Sequence, residues 1–247
     1  MQGTTAQRWL RRWDAQQERY IPDREERFRV VIDVVRAAVG TGAAGVVDLG
    51  CGPGSLSARL AAALPDVTVV GVDADPLLLG LGVANTGPRV RLVEANLGHP
   101  DWPDRTGITA PWDAAVSSTA LHWLEPDALA TLYRTLAGRL RPGGVFVNAD
   151  KMDPGLSTVD TIAAAVREAR TARVGTDRNE DWAQWWQALG EDDEIAPLLD
   201  GRPAAPIEHT QNELTVREHA ELLRAAGFAE VAPVWQFGDD HVLVAVR

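Results

Sequence analysis

Short valine-rich runs alternate with stretches of helical apolar spacing over roughly the first 150 residues. The strand candidates are GVVDL (45–49), VTVVGVD (67–73), VRLVEAN (90–96), WDAAVSS (112–118) and GVFVNAD (144–150), each bounded by Gly, Pro or Asp. Helices are predicted between them over 55–64, 76–84 and 126–140. Because strands that alternate with helices form βαβ units, the pattern predicts a doubly wound parallel α/β sheet.

The pattern changes after residue 150. Residues 151–213 show helical stretches and no convincing strand. The first predicted helix begins with a sequence that resembles a capping box at Ser157–Asp160, and a second helix covers about 181–189. Residues 214–228 predict a helix, and the apolar runs on either side of Gly238 predict a closing hairpin. Residues 5–40, before the first strand, predict one or two helices with a break near Pro22.

These elements predict a single Rossmann-like α/β domain with a seven-stranded sheet, in which five parallel strands are completed by the C-terminal hairpin. The single domain of residues 1–247 is expected to begin with a helical N-terminal arm (1–40) and a ligand-binding core (41–150). A helical cap insert (151–213) follows, and residues 214–247 complete the core.

The composition of the chain limits the classes of binding partner that are expected for it. The formal net charge is −11 and no basic cluster dominates, so binding to nucleic acid or to an anionic membrane is not expected. No apolar stretch approaches the roughly 18 residues of a transmembrane helix. The single cysteine, Cys51, favours a cytoplasmic location, and no Cys/His spacing indicates a metal site. We therefore expect a small-molecule partner and a monomer or homodimer.

The most informative motif is the turn after the first strand, DLGCGPGS. Glycines at 50, 52 and 54 permit a tight turn and the close approach of a ligand. A dinucleotide fingerprint would place its third glycine at position 55, where this chain has Ser55. Asp48 would repel a phosphate, so the turn favours a ligand with an ammonium and a sulfonium group.

Two further polar residues follow neighbouring strands. Asp73 ends the second strand, where a carboxylate can accept hydrogen bonds from both hydroxyls of a ribose. Asn96 ends the third candidate strand, where its amide could pair with the amino edge of an adenine. An early acid and Ser55 make a dehydrogenase the weaker interpretation.

The ordered set DLGCGPGS, VDADP, EAN and LRPGG resembles the motif series of class I S-adenosylmethionine-dependent methyltransferases. This resemblance spans residues 45–150 and the hairpin, and it implies S-adenosyl-L-methionine as the cofactor. It implies that Asp48 and Gly50 line the methionine end, that Asp73 holds the ribose, and that Asn96 and Leu97 flank the adenine. The family usually has Asp where this chain has Asn96. The predicted cofactor-binding set also contains Gly52, Ala74 and Ser117.

The stretch STALHWLEPD (118–127) is similar to a small-molecule branch of that family, the trans-aconitate methyltransferases. The spacing of Tyr20, Arg27 and Asp48 is also similar to that branch, which implies that Tyr20 and Arg27 reach the methionine carboxylate. A guanidinium can bind a carboxylate through two parallel hydrogen bonds.

Candidate acceptor residues follow the fourth strand and lie in the cap. His122 is the predicted catalytic and substrate-binding residue, as a base that takes the acceptor proton; an ordinary packed or solvent-facing histidine is the alternative. Trp123, Trp182 and Trp186 are predicted to contact substrate, although a stripe of tryptophans at helical spacing is also typical of a core.

The resulting hypothesis is a methyltransferase that acts on a small molecule, with an oxygen acceptor, either carboxylate or hydroxyl, favoured. Transfer to nitrogen or carbon and a protein that binds S-adenosylmethionine without transferring methyl remain open at this stage, because a fold alone does not establish a reaction.

Overall fold

The computed structural model describes residues 3–40, 44–199 and 212–247. The predicted cap insert is thus described up to residue 199 and again from residue 212, and residues 1–2 of the arm and 41–43 at the start of the core also lie outside the described ranges. The strands are β1 (Ala44–Leu49), β2 (Val67–Asp73), β3 (Val90–Glu94), β4 (Trp112–Ser118), β5 (Leu140–Lys151), β6 (Glu230–Phe237) and β7 (Asp240–Val246).

The described helices are α1 (Gly3–Tyr20), α2 (Arg24–Val39), α3 (Ser55–Ala63), α4 (Pro76–Gly82), α5 (Trp102–Arg105), α6 (Pro126–Arg139), α7 (Ser157–Val174), α8 (Trp182–Gly190), α9 (Ala196–Leu199) and α10 (Val216–Ala226). Short 3₁₀ turns cover Leu121–Trp123 and Thr176–Arg178. Among the described helices, none is long and apolar enough to cross a membrane.

The strands form one seven-stranded sheet in the order β3-β2-β1-β4-β5-β7-β6. Strands β1 to β5 are parallel, and β7 pairs antiparallel with both β5 and β6. Valines on both faces of the central strands are buried, as expected for a parallel sheet covered on two sides. The predicted fold class is therefore confirmed.

Two apolar layers flank the sheet. On one side, Leu132 and Leu136 of α6 and Leu223 of α10 pack against β1, β2 and β5. On the other, Phe28 of α2 and Leu60 of α3 pack against the opposite face of the same strands. Fully burying a leucine or phenylalanine side chain stabilises the fold by about 1.5–3 kcal/mol, so these two layers hold the strand ends in place.

Some boundaries differ from the sequence prediction. β3 ends at Glu94, so Ala95 and Asn96 lie beyond the strand rather than within it. Helix α6 ends at Arg139, and Pro142 and the glycines after it lie inside β5, where the register with β4 shifts. A bulge of this kind accommodates a proline that cannot donate to the ladder.

The expected capping box at Ser157 is wrong. Leu156 is the N-cap of α7 and makes no side-chain capping bond, whereas the Asp160 carboxylate accepts hydrogen bonds from the N–H groups of Gly155 and Leu156. A reciprocal capping box is instead present at the start of α8, between Asp181 and Gln184. The reason is the position of the helix start, since Ser157 is already the first helical residue and the N-cap position is occupied by Leu156, which has no side-chain acceptor.

A third apolar cluster joins the N-terminal arm to the cap. Trp9 and Trp13 of α1 pack with Trp185 of α8, at ring-centroid distances of 5.6 and 5.1 Å. Leu77 and Leu81 of α4 complete the cluster, which therefore also contacts the sheet domain. The guanidinium of Arg12 lies 4.2 Å from the Trp9 ring centroid. Arm and cap thus form one packed layer above the carboxyl ends of the strands.

Candidate functional site

A cavity of about 1410 Å³ opens at the carboxyl ends of β1, β2, β4 and β5. The strand order reverses between β1 and β4, and ligands of open α/β sheets bind at such a switch point. The predicted site residues that line this cavity are Tyr20, Arg27, Asp48, Gly50, Gly52, Asp73, Ala74, Asn96, His122, Trp123, Trp182 and Trp186. Residues from the arm, the core and the cap therefore face one space.

The glycine turn is shaped by its backbone. Gly50, Gly52 and Gly54 have φ values of 65°, 53° and 72°, in the left-handed region that favours glycine. A Cβ at Gly50 would lie 2.4 Å from the Cβ of Ala120, so this position also requires a residue without a side chain. The N–H of Gly50 donates to the carbonyl of Val72, which fixes the turn against β2.

Asp48 is 1% exposed and accepts a hydrogen bond from the Ser57 hydroxyl at 2.6 Å. Burial raises the pKa of Asp48 to about 7, against the lowering effect of that hydrogen bond, and the charge of Asp73 adds to the rise. Gly71 leaves room for this arrangement on β2, because a Cβ there would lie within 2.9 Å of the Cys51 sulfur. A positively charged ligand group would favour the ionised carboxylate.

Asp73 stands at the end of β2 with both carboxylate oxygens oriented by the backbone. Oδ2 accepts from the N–H of Gly52 at 2.7 Å, and Oδ1 accepts from the N–H of Asp75 at 2.9 Å. Carboxylate oxygens have further lone pairs, so each can accept a ligand hydroxyl as well. Asp73 thus connects the glycine turn with the predicted ribose position.

The remaining predicted cofactor residues divide into two groups. Asn96 and Ala74 line the cavity, and the Asn96 side-chain oxygen accepts from the N–H of Gly98 at 2.8 Å. Leu97 packs against the core layer beside α6, and Ser117 is buried with its hydroxyl donating to the carbonyl of Leu49 at 2.9 Å. Neither Leu97 nor Ser117 is part of the described cavity wall; the residue after Ser117 occupies that place.

Arg27 reaches the cavity from α2, but its guanidinium is already bonded to the protein. Nη1 donates to Asp240 Oδ1 at 2.7 Å, and Nη2 donates to the hydroxyls of Ser118, at 2.9 Å, and Thr119. The side chain is 1% exposed. Binding a ligand carboxylate through two parallel bonds would require some of these bonds to break.

The roof of the cavity comes from α1 and α8. Tyr20, 42% exposed, accepts a hydrogen bond from the N–H of Trp182 at 3.1 Å, so it connects the arm to the cap. Trp182 and Trp186 are partly buried and line the cavity, whereas Trp185 between them is fully buried in the roof core. The tryptophan stripe is thus divided by helix face: Trp185 belongs to the core, whereas Trp182 and Trp186 face the cavity.

His122 lies in the 3₁₀ turn after β4, and its Nδ1 is 2.9 Å from Oδ1 and 3.0 Å from Oδ2 of Asp150. Burial opposes ionisation of Asp150, but the charge and hydrogen bond of His122, together with Arg27, hold the pKa of Asp150 below its usual value. An ionised Asp150 assigns the Nδ1 proton, which leaves Nε2 of a neutral ring as a proton acceptor. The His122 ring also lies 4.7 Å from that of Trp123.

Three residues at this site were not singled out from the sequence. Asp150 ends GVFVNAD just as Asp73 ends VTVVGVD, so its place at the end of the fifth strand was an available signal. Thr119 has φ 57°, which is uncommon for a β-branched residue, and nothing in the sequence indicates it. Asp240 lies in the predicted hairpin, and its approach to Arg27 depends on the sheet order.

Part of this chain is similar in sequence to known methyltransferases. Residues 46–144 match a family model described as a methyltransferase domain. The chain is 38% identical over 134 residues to a trans-aconitate 2-methyltransferase of Azoarcus sp., with 54% of this chain and 49% of that protein covered. It is 37% identical over 129 residues to the enzyme of the same name from Methylobacterium radiotolerans, with 52% and 43% covered. The chain therefore spans about half the length of these curated relatives.

Among solved structures, the S-adenosylmethionine-dependent methyltransferase SibL is similar in fold, with a TM-score of 0.54 at 18% identity over 87% of this chain and 53% of that chain. At this identity the likeness concerns the fold alone. Residues 46–144 therefore match a methyltransferase domain, in a sheet whose fold is similar to that of S-adenosylmethionine-dependent methyltransferases.

Proposed function

We propose that this chain transfers a methyl group from S-adenosylmethionine to an oxygen atom of a small molecule. The observation that carries the proposal is one cavity with two chemically different walls. Asp48 and Asp73 line one part of it beside the glycine turn, and the His122–Asp150 pair lines another. A donor site and a proton acceptor in one cavity are what methylation of a hydroxyl requires.

The residues present fit this cofactor. Asp48 is buried, and both the hydroxyl and the backbone N–H of Ser57 that donate to its side chain are neutral, so a cationic group of the ligand would compensate its charge. The oriented carboxylate of Asp73 fits a ribose diol, and the cavity-facing Asn96 fits an adenine edge. When bound, S-adenosylmethionine supplies a methyl group already activated by a sulfonium.

The chain itself orients the reacting groups, limits the access of water and supplies a proton acceptor. Asp150 orients the His122 ring through Nδ1–H, so that Nε2 takes the proton of an acceptor hydroxyl. Asp150 then stabilises the resulting imidazolium through the same hydrogen bond. The tryptophans of α1 and α8 cover the cavity and limit the access of water, which strengthens electrostatic interactions inside it.

The acceptor oxygen has two candidate sources. The relatives are named for trans-aconitate, which supports a carboxylate acceptor. A carboxylate is already a nucleophile and needs no base, whereas a hydroxyl does, so the His122–Asp150 pair favours a hydroxyl. Of the two, we propose the hydroxyl for this chain.

The test measures release of S-adenosylhomocysteine with three acceptor classes: polycarboxylates including trans-aconitate, phenols and alcohols, and amines. Alkali distinguishes the first two products, since it hydrolyses a methyl ester to methanol and leaves a methyl ether intact. We expect an ether product whose formation falls in His122→Ala. An ester product unaffected by that change would refute the hydroxyl proposal, and binding without transfer to any class would favour a non-transferring S-adenosylmethionine-binding protein.

A further inference from the structure

The 3₁₀ turn that carries His122 is too short to hold its own position. It covers three residues, Leu121–Trp123, and the N–H groups of Trp123 and Leu124 donate to the carbonyls of Ala120 and Leu121 at 3.2 and 3.1 Å. A 3₁₀ turn has poorer hydrogen-bond geometry than an α-helix, and its last carbonyl groups need partners from outside the turn. The position of His122 therefore depends on the residue that bonds those carbonyls.

Asn212 bonds three carbonyls of this turn at once. Its backbone N–H donates to the carbonyl of His122 at 2.8 Å. Its side-chain Nδ2 donates to the carbonyls of Leu121 and Leu124, at 2.9 and 2.8 Å. A side-chain amide has two N–H groups, so these two bonds use both of them. Because both partners are carbonyl oxygens, they also determine which way the amide faces.

The segment that carries Asn212 is fixed where it enters α10. The N–H of Val216, the first helical residue, donates to the carbonyl of Asp153 at 3.1 Å, just beyond the end of β5. Thr215 is the N-cap of α10 and forms a reciprocal capping box with Glu218. Asn212 therefore connects the turn of His122 to the start of a capped helix and to the chain that follows β5.

The sheet holds the partner of the His122 ring separately. Asp150 is 2% exposed on β5, and its Oδ1 accepts from the N–H of Lys151 at 2.9 Å while lying 2.9 Å from Nδ1 of His122. One member of the pair thus lies on the sheet, and the other lies on the turn that Asn212 bonds. A displacement of the turn by about 1 Å would lengthen this contact beyond the usual range of a hydrogen bond.

We infer that Asn212 is a positioning residue: its three hydrogen bonds hold residues 121–124 so that Nδ1 of His122 faces Asp150 and Nε2 is left as the proton acceptor. The catalytic consequence rests on the proposed function, whereas the placement of the ring does not.

Nitrogen-15 NMR of the histidine rings tests the placement without a substrate, because the Nδ1–H and Nε2–H tautomers give different spectra. The chain has five histidines, and the signals of His122 are those lost in His122→Ala. At alkaline pH, where the ring is neutral, we expect the wild type to show the Nδ1–H form. In Asn212→Ala the Nε2–H form should rise to a comparable population, because a ring turned away from Asp150 loses the acceptor that selects Nδ1–H.

Two further variants control for size and for the general loss of an amide. Asn212→Asp keeps the size of the side chain and loses both amide donors, so it should show the same change; it replaces Asn212→Ala if circular dichroism shows that variant to be unfolded. Asn179→Ala removes an amide that donates to the carbonyl of Ala15 at 2.6 Å, and it should retain the wild-type tautomer. A wild-type tautomer in the Asn212 variants overturns the inference, and so does an equal change in Asn179→Ala.

Kinetics test whether Asn212 acts through the His122–Asp150 pair. Asn212→Ala should lower kcat for a hydroxyl acceptor roughly 10- to 100-fold, with little change in the KM for S-adenosylmethionine, because the base is misplaced while the cofactor site is intact. Asp150→Asn/Asn212→Ala should be no slower than Asp150→Asn alone. Losses that multiply in the double variant overturn the inference, because they would show that Asn212 acts separately from the pair. A wild-type protein that releases no S-adenosylhomocysteine with any hydroxyl acceptor refutes the proposed function instead, and the tautomer measurement then decides the role of Asn212.

Discussion

The buried Asp48 makes the stability of this protein depend on pH in a defined direction. Its carboxyl is 1% exposed and has a pKa of about 7, whereas an aspartate in an unfolded chain titrates near 3.9. Above pH 7 the folded protein must hold a buried negative charge that the unfolded chain keeps in water. Asp48→Asn removes that charge while retaining a side-chain oxygen that can accept from Ser57.

The size of the effect follows from proton linkage. For an acid whose pKa is raised by folding, the cost is absent below the unfolded pKa, grows as the pH rises, and is complete above the folded pKa. Between pH 5 and pH 7 the unfolded chain has lost this proton and the folded protein has kept it. This interval corresponds to about 2 pKa units, so the free energy of unfolding of the wild type should fall by about 3 kcal/mol relative to Asp48→Asn.

Urea unfolding of the two proteins at pH 5 and pH 8 measures this difference. Asp127→Asn, on an exposed position of α6, is the control for loss of one carboxylate at the surface. Between pH 5 and pH 8, we expect the free energy of unfolding of Asp48→Asn to rise relative to that of the wild type. For Asp127→Asn, the difference from the wild type should change little between the two pH values. A difference between wild type and Asp48→Asn that is the same at both pH values would show that Asp48 does not carry the buried charge inferred here.

Three further predictions concern the cavity and its roof. Asp73→Ala should weaken S-adenosylmethionine binding by about 1–3 kcal/mol by calorimetry, because a ribose diol would lose its acceptor and the Gly52 N–H its partner; unchanged affinity would remove the ribose assignment. Asp150→Asn should lower kcat for a hydroxyl acceptor by roughly 10²–10⁴ with little change in cofactor affinity, because the His122 ring loses its charged partner; an unchanged kcat would show that proton transfer does not depend on the His122–Asp150 pair. Trp185→Ala should cost about 3–5 kcal/mol of unfolding free energy, since the ring is fully buried, whereas Trp182→Ala should mainly raise the acceptor KM; equal losses of stability would contradict the division of the stripe.

Most of the sheet could be predicted because its signals are local. Valine-rich runs between turn residues identify five of the strands. The glycines after β1 indicate a turn whose backbone conformation favours residues without a side chain. The sequence predicted Asp48 and Asp73 as site residues, and both line the cavity, because each lies at or next to the carboxyl end of a parallel strand. The strand ends were predicted less accurately, since β3 ends at Glu94 and β5 begins at Leu140 with a shift of register against β4.

The pairing of distant side chains could not be predicted. Asp150 is 28 residues from His122, and Asp240 is 213 residues from Arg27, so neither pair has a spacing that sequence periodicity can reveal. Trp185 and Trp186 are adjacent in sequence, yet one belongs to the roof core and the other to the cavity wall. Which face of a helix is covered depends on the element packed against it.

The sequence by itself therefore determined the class of sheet, the glycine turn and the acids beside it, because these depend on backbone conformation and on a period of two or 3.6 residues. The tertiary structure decided what those groups face. In that structure the guanidinium of Arg27 donates to protein acceptors, His122 contacts a carboxylate, and α1 and α8 pack together over the cavity. Those outcomes depend on strand order and on packing between elements far apart in the chain, which no local pattern encodes.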